Sequence, residues 1–215
     1  MSGKKLIQHY EQLLAQDPKD VRLLQKLAEA FQKAGENIKA AATIARVAES
    51  YEHDGFFLKA VAQLKQAVKL DPERNDINLR LADVHHKLQL LSEAIAYLHI
   101  GLRNAQRKQD ADTCLIASRR LTELDPTNPQ LRLAYARLLL RADRKEEAKA
   151  ELVAAGKLLR HGHPDLAAAA DAVDLKTDVA WTESELATLN ALTFELSRRT
   201  TLEQGLLQVD FERPN

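Results

Sequence analysis

Apolar and polar residues alternate along this chain with the period of an amphipathic helix, and the pattern repeats every 54 residues. The dipeptide Asp-Pro begins at Asp17, Asp71 and Asp125, which are 54 residues apart. Other positions that recur at this spacing are Leu27/Leu81/Tyr135, Ala28/Ala82/Ala136, Ala40/Ala94/Ala148 and Ile44/Leu98/Leu152. Because one repeat cannot bury its apolar face alone, we expect neighbouring repeats to stack into a continuous core.

The pattern predicts an all-α fold of about ten or eleven helices. Proline pushes the residue before it out of helical space, so each Asp-Pro pair ends a helix. Asp20 is placed to cap the second helix, and Gly35 is placed to end it. The predicted helices span residues 3–16, 21–34, 37–54, 56–70, 75–88, 91–108, 111–124, 129–141, 144–160, 165–175 and 183–199.

The repeat pattern breaks near Gly162, which predicts two parts: a repeat array over 1–160, and C-terminal capping helices with an acidic tail over 161–215. Thr182 and Glu185 form a capping box ahead of the last helix. Its apolar stripe is Leu186, Leu189, Thr193 and Leu196. The segment 206–211 fits either a docked strand-like tail or a disordered end.

The overall charge does not favour a nucleic-acid binder. Lys plus Arg and Asp plus Glu both number 31, whereas nucleic-acid-binding domains are basic. No segment has the roughly 18 apolar residues of a membrane span. The single cysteine, Cys114, takes the repeat position of Ala60 and is interpreted as a small buried residue. Cysteine usage of this kind is typical of the reducing cytoplasm, where we expect the protein to reside.

The histidines do not form a convincing metal site, and no catalytic constellation is evident. His85 and His86 are adjacent and point about 100° apart on a helix, and His85 takes the repeat position of Phe31. His161 and His163 lie in a predicted turn without cysteines or clustered carboxylates to complete a ligand set. We therefore expect no metal, no cofactor and no enzymatic activity, and keep a histidine-based metal protein or enzyme as a minor alternative.

The small and apolar positions resemble the tetratricopeptide repeat (TPR), a pair of antiparallel helices with a period of about 34 residues. Two windows, 21–54 and 41–74, match the family pattern. In the first, the matching residues are Leu24, Leu27, Ala28, Phe31, Gly35, Ala40, Ile44 and Val47. In the second, they are Ile44, Val47, Ala48, Tyr51, Gly55, Ala60, Leu64, Ala67 and Pro72. The helix 37–54 is therefore shared by two overlapping repeats.

The general character of the sequence resembles that of bacterial proteins.

The resemblance implies a right-handed helical solenoid whose first helices line a concave groove. Because the shared helix counts as both a first and a second helix, the identity of the groove helices stays open. Taking 21–34, 75–88 and 129–141 as first helices predicts partner-binding residues Arg22, Gln25, Glu29, Asp83, His86, Arg137 and Arg141. The Lys and Asn residues with which some family members clamp a chaperone's terminal carboxylate are not matched here.

A second set of candidates comes from charge. Residues 101–160 carry 13 basic and 8 acidic side chains, and residues 161–215 carry 4 basic and 10 acidic ones. Arg103 and Arg107 lie four residues apart on one helix face and, with Arg137 and Arg141, are suited to paired hydrogen bonds with carboxylates. The acidic tail is a candidate to lie across them.

The sequence thus favours a non-catalytic scaffold or adaptor that binds a peptide or helix of another protein, and the four arginines are suited to an acidic partner. The alternative is a regulatory subunit or secretion-type chaperone that wraps a partner domain.

Overall fold

The computed structural model describes residues 3–171 and 183–204, and those residues form eleven helices and no strand. All eleven predicted helices are present. They are α1 (Gly3–Gln16), α2 (Val21–Lys33), α3 (Asn37–His53), α4 (Phe57–Leu70), α5 (Asn75–Lys87), α6 (Leu91–Lys108), α7 (Ala111–Leu124), α8 (Pro129–Arg141), α9 (Lys145–Leu159), α10 (Pro164–Asp171) and α11 (Glu183–Gln204).

Capping residues explain where several helices begin. The Asp20 carboxylate accepts hydrogen bonds from the backbone N–H of Arg22 and Leu23 at 2.8 and 3.0 Å, as predicted. Two 54-residue periods later, Asn128 caps α8 in the same way, accepting from the backbone N–H of Gln130 and Leu131. The equivalent residue of the second repeat is Arg74, whose side chain makes no capping hydrogen bond to α5.

The 54-residue period extends to the backbone of the turns. Gly35 has a φ of +74°, and the equivalent residues Gln89 and Asp143 have φ values of +61° and +57°. The second turn is left-handed in the first two repeats, with φ of +77° at Gly55 and +56° at Gln109. The left-handed conformation is therefore kept where glycine, the residue that adopts it most easily, has been replaced.

The chain divides into two compact units, Met1–Gln109 with α1–α6 and Asp110–Asn215 with α7–α11. The division predicted between residues 160 and 161 falls inside the second unit, between α9 and α10, and stays a prediction. The 54-residue period itself runs through the boundary between the units without interruption.

In the first unit, consecutive helices pack as hairpins around small residues. Ala40, Ala60 and Ala67 are fully buried, and Ala28 is 3% exposed. Small side chains are thus buried at the repeat positions of Ala28, Ala40, Ala60 and Ala67, as the pattern of small residues in the sequence predicts. Two apolar clusters fill this unit, one centred on α1–α3 and the other on α2–α5.

In the second unit, α11 closes the core and acts as the predicted C-terminal capping helix. Its residues Leu189, Leu192 and Leu196 are buried in one cluster with residues of α8, α9 and α10. Leu159 lies in the same cluster, whereas Leu158 is 37% exposed. The side chains of Thr182 and Leu186 lie outside the described residues.

Candidate protein-binding surfaces

The three predicted partner-binding residues of α2 share one face of that helix. Arg22 and Glu29 are exposed, and Gln25 is half-buried. This face is opposite to Leu27 and Phe31, which are buried at 3% and 4% exposure. The structure therefore places Arg22, Gln25 and Glu29 together on the outer side of α2.

The two predicted residues of α5 lie near its C-terminal half. Asp83 is half-buried and His86 is exposed. Their neighbour His85 is buried, as expected, and its Nδ1 is 2.6 Å from the carbonyl oxygen of Leu81. The His85 ring also lies against Tyr97, with ring centroids 5.1 Å apart.

Arg103 and Arg107 are exposed on α6, as predicted, but Arg107 already has partners in its own unit. Its guanidinium donates to Asn104 Oδ1 at 2.6 Å and lies 3.6 Å from Glu73. Lys108 donates to the backbone carbonyl of Glu73 at 2.6 Å. Arg103 is therefore more available to a partner than Arg107.

Arg137 and Arg141 of α8 differ in exposure because α11 packs on this helix. Arg141 is exposed, whereas Arg137 is half-buried and donates to Asn190 Oδ1 of α11 at 3.2 Å. Burial lowers the pKa of Arg137, and the nearby charge of Arg141 lowers it further. The side chain of α11 that accepts this hydrogen bond from Arg137 is thus the neutral amide of Asn190. As partner-binding residues, all nine remain predictions.

Exposed apolar side chains stand at the starts of two helices of the first unit, and we call them together the turn patch: Phe56, Leu58, Leu90 and Leu91. These residues are 51%, 72%, 39% and 44% exposed. Phe56 and Leu58 are at the start of α4, and Leu90 and Leu91 are at the start of α6. The two turns are neighbours, because Lys87 Nζ lies 5.4 Å from the ring centroid of Phe57.

A second feature is an open groove of about 430 Å³, which we call the α2 groove. Its floor is apolar and buried, and its walls are the helices on either side of α2. The lining residues are Glu11, Leu14 and Ala15 of α1, Leu27 and Phe31 of α2, and Lys39, Ala42, Thr43 and Arg46 of α3. Its volume lies within the range of about 300–1,000 Å³ that is usual for ligand sites.

The charged residues at the rim of the α2 groove are mostly basic. Lys39 Nζ is 2.6 Å from Glu36 and 5.6 Å from the ring centroid of Phe31. The hydrogen bond to Glu36 raises the pKa of Lys39, and the charges of Glu36 and Glu11 add to the effect. Arg46 uses one N–H to donate to the carbonyl oxygen of Pro18 at 2.9 Å.

The residues of this groove were not among the sequence candidates, because sequence reasoning selected the exposed face of α2. Leu27 and Phe31 read as core residues from their periodicity, and only the packing of α1 and α3 shows that space remains above them. One signal was present in the sequence: the residues equivalent to Thr43 are Tyr97 and Glu151, both much larger.

The described residues show few other chemical features. Within 3–171 and 183–204, no group of three or more His, Cys, Asp or Glu residues is placed to hold a metal ion. Cys114 is buried, as interpreted from its repeat position, and burial raises the pKa of its thiol. None of the helices in these ranges combines the length and the apolar character needed to cross a membrane.

No protein-family model matches this chain, and no curated protein matches it. Among solved structures, BtubC (BKLC) from P. vanneervenii is similar, with 15% identity and a TM-score of 0.45 over 100% of this chain and 94% of that one. MamA has 15% identity and a TM-score of 0.31, over 72% of this chain and 87% of its own.

YrrB, described as a TPR protein with an unusual peptide-binding site, has 15% identity and a TM-score of 0.27, over 88% of this chain and 97% of its own. These TM-scores are low, so the all-α assignment rests on the helices and turns of this chain, together with its 54-residue period.

Proposed function

We propose that this protein is a non-catalytic scaffold or adaptor that binds a peptide or helix of a partner protein on its helical-repeat surface. The partner surface combines the turn patch with polar residues of the exposed helix faces. The nine residues predicted from the sequence, from Arg22 to Arg141, are further candidates for polar contacts with a partner, each on the unit to which it belongs.

The observation that carries the proposal is the turn patch. Single exposed apolar residues are common on proteins, whereas contiguous apolar patches are typical of interaction sites. Phe56 and Leu58 are large and more than half exposed, and Leu90 and Leu91 are exposed at the turn that follows Lys87, whose Nζ lies 5.4 Å from the Phe57 ring centroid. Nearby lysines add positive charge, since Lys59 Nζ lies 4.6 Å from the Phe56 ring centroid.

The proposal is tested with a double substitution, Phe56→Ser and Leu58→Ser. The wild-type chain is cross-linked in lysate, its partner is identified and purified, and the affinity is measured by calorimetry. We expect the double variant to bind at least tenfold more weakly, because the apolar contact area is lost. Both side chains are exposed, so the thermal stability of the variant should match that of the wild type.

A matched control is Ile116→Ser with Val153→Ser, which removes two residues that are each 44% exposed in the second unit. The control should bind like the wild type. Retention of a metal ion or small ligand without any protein partner would contradict the scaffold proposal and favour the histidine-based alternative.

A regulatory subunit or secretion-type chaperone is the second candidate. It is favoured by one observation: α11 from the acidic C-terminal part packs on α8 and reaches Arg137. In that case the chain's own C-terminal part competes with the partner for the surface around Arg137 and Arg141 of α8. Asn190→Ala, which removes the amide that contacts Arg137 and keeps the buried leucines of α11, should then tighten partner binding, whereas a simple scaffold should bind no better.

A further inference from the structure

The α2 groove has an equivalent in each of the other repeats, because α5 and α8 follow α2 at intervals of 54 residues. The walls that correspond to α1 and α3 are α4 and α6 in the second repeat, and α7 and α9 in the third. Each set of three helices lies within a single compact unit. The lining residues of the three grooves can therefore be compared position by position.

In the second repeat, a tyrosine from the chain itself packs at this position. Tyr97 of α6 is equivalent to Thr43, and His85 of α5 is equivalent to Phe31. The two rings are tilted at 31° with centroids 5.1 Å apart. Tyr97 is partly buried and packs against the apolar cluster of the first unit. The wall residue that is a threonine in α3 thus becomes an aromatic ring that covers the groove floor.

In the third repeat, a tyrosine is again present, but it comes from the floor. Tyr135 of α8 is equivalent to Leu27 and is 5% exposed. Burial raises the pKa of its hydroxyl, and the charged residues around it include Arg119, Glu147 and Glu151. These three residues are the equivalents of Glu11, Lys39 and Thr43, so the charges that act on the Tyr135 hydroxyl come from the positions that line the α2 groove in the first repeat.

The first repeat provides no such ring. Leu27 and Thr43 stand where the other repeats have Tyr135 and Tyr97, and none of the residues that line the α2 groove is a tyrosine. The space above Leu27 and Phe31 is therefore left as the open volume of about 430 Å³. Its apolar floor is preformed by buried side chains and does not depend on a movable loop.

The charge of the α3 wall also differs from its equivalents. Lys39 and Arg46 correspond to Glu93 and Ile100 in the second repeat. In the third repeat they correspond to Glu147 and Ala154. Two cations thus stand on a wall that carries an acidic residue in both other repeats, and Glu11 is the acidic residue on the facing wall. Lys39 is paired with Glu36, whereas Arg46 donates one N–H to a backbone carbonyl and carries further N–H donors, so the α3 side of the groove favours an anionic group near Arg46.

We propose that the α2 groove binds an aromatic side chain of a partner peptide that carries an acidic residue next to it. The partner ring takes the place that Tyr97 and Tyr135 take in the other repeats, stacking on Phe31 above Leu27. The adjacent carboxylate contacts Lys39 and Arg46. This inference rests on the proposed function, since it assumes that the partner is a protein.

The test uses a phage-displayed library of random dodecapeptides selected on the full chain, followed by synthesis of the enriched peptides with a fluorescent label. Affinity is measured by fluorescence anisotropy. We expect enriched sequences in which Tyr, Phe or Trp is next to Asp or Glu. Replacing that aromatic residue by Ala should weaken binding at least tenfold.

The decisive variant is Thr43→Tyr, which supplies the ring that the second repeat contains, and it should bind the peptides at least tenfold more weakly. Ala62→Tyr is the matched control, because Ala62 is exposed on α4 and does not line the groove. Circular dichroism establishes that both variants are folded. A second variant, Lys39→Glu with Arg46→Ile, reproduces the second repeat's wall and should lose the preference for acidic peptides.

The outcomes separate this inference from the proposed function. Peptides that bind Thr43→Tyr as tightly as the wild type would overturn the groove assignment and leave the scaffold function in place. An absence of enriched peptides would also overturn it if a protein partner is retained in the Phe56 and Leu58 experiment. A chain that binds neither peptides nor a protein partner would contradict both.

Discussion

At the scale of single residues, the most informative feature is a set of turn positions with positive φ. Gly35 and Gly55 lie in the left-handed region, and a Cβ built on either would have no atom within 4 Å. The cost of a side chain at these positions therefore comes from the backbone alone. Gln89, Gln109 and Asp143 already bear that cost in the other turns.

The substitution Gly35→Ala should lower the free energy of unfolding by about 1–2 kcal/mol, because an L-residue in the left-handed region is disfavoured by that amount. Urea denaturation followed by circular dichroism provides the measurement. The reciprocal change, Gln89→Gly, should have the opposite sign and a smaller size, since the added chain entropy of glycine offsets part of the relief. If both variants had the same urea midpoint as the wild type, the left-handed conformation of these two turn residues would be contradicted.

Small buried residues allow a second prediction at this scale. Ala60 is fully buried at the α3–α4 packing, so Ala60→Leu should overpack the core and cost about 1–3 kcal/mol of stability. Ala62→Leu on the exposed side of the same helix should change stability by no more than about 0.5 kcal/mol. The comparison of the two denaturation midpoints checks the helix register directly.

At the scale of helices, local signals in the sequence were sufficient to predict the elements but not all of their contacts. Asp-Pro pairs, cap residues and turn positions act within a few residues, so the bounds of the helices could be derived from the sequence alone. The packing of α11 on α8 joins residues about 50 positions apart, as in the Arg137–Asn190 hydrogen bond, and has no local signature. The α2 groove was missed for the same reason.

The contact of α10 with α11 is charged and gives a pH prediction. Arg199 donates to both oxygens of Asp165 at 3.0 and 2.7 Å and to Glu195 at 2.9 Å. The hydrogen bond from Arg199 lowers the pKa of Asp165. Hydrogen bonds from Arg198 and Arg199 lower the pKa of Glu195 to about 2.

Carboxylates with a lowered pKa stabilise the folded state above their ordinary pKa and lose this effect as they become protonated. The melting temperature of Arg199→Gln should therefore lie below that of the wild type at pH 7. The difference should shrink as the pH falls from about 4.5 towards 2, through the pKa of Glu195. Arg119→Gln is the control, because it breaks an exposed pair with Glu123 within α7. A difference that stays constant down to pH 2 would rule out a contribution of the Arg199 contacts.

At the scale of the whole molecule, the chain consists of two compact units although its sequence repeats without a break at their boundary. The period cannot reveal this division, since equivalent residues such as Ala60 and Cys114, or Ala67 and Leu121, continue across it. The first unit contains two apolar clusters of its own, and the second contains one. The boundary between the two units therefore depends on which helices share an apolar cluster. That is decided by three-dimensional packing and cannot be read from the period.

Residues 1–109 should fold without the rest of the chain, because both of their apolar clusters are built within the unit. The expected result is a helical circular dichroism spectrum with a cooperative melting transition. The matched control is residues 1–88, which lack α6 and with it the buried residues Ala94 and Leu98. A gradual, non-cooperative melt of residues 1–109 would show that the unit depends on α7–α11.

Each 54-residue period contains three helices, so equivalent helices of successive periods run in opposite directions in the first unit. Short turns join its consecutive helices, so neighbours run antiparallel, and α2 and α5, three helices apart, have opposite polarity. A peptide that runs along α2 from its N-terminus to its C-terminus would have to be reversed to make the same contacts along α5. A partner that carries the same motif in tandem therefore needs a linker long enough to reverse the direction of its chain before a second copy can bind along α5.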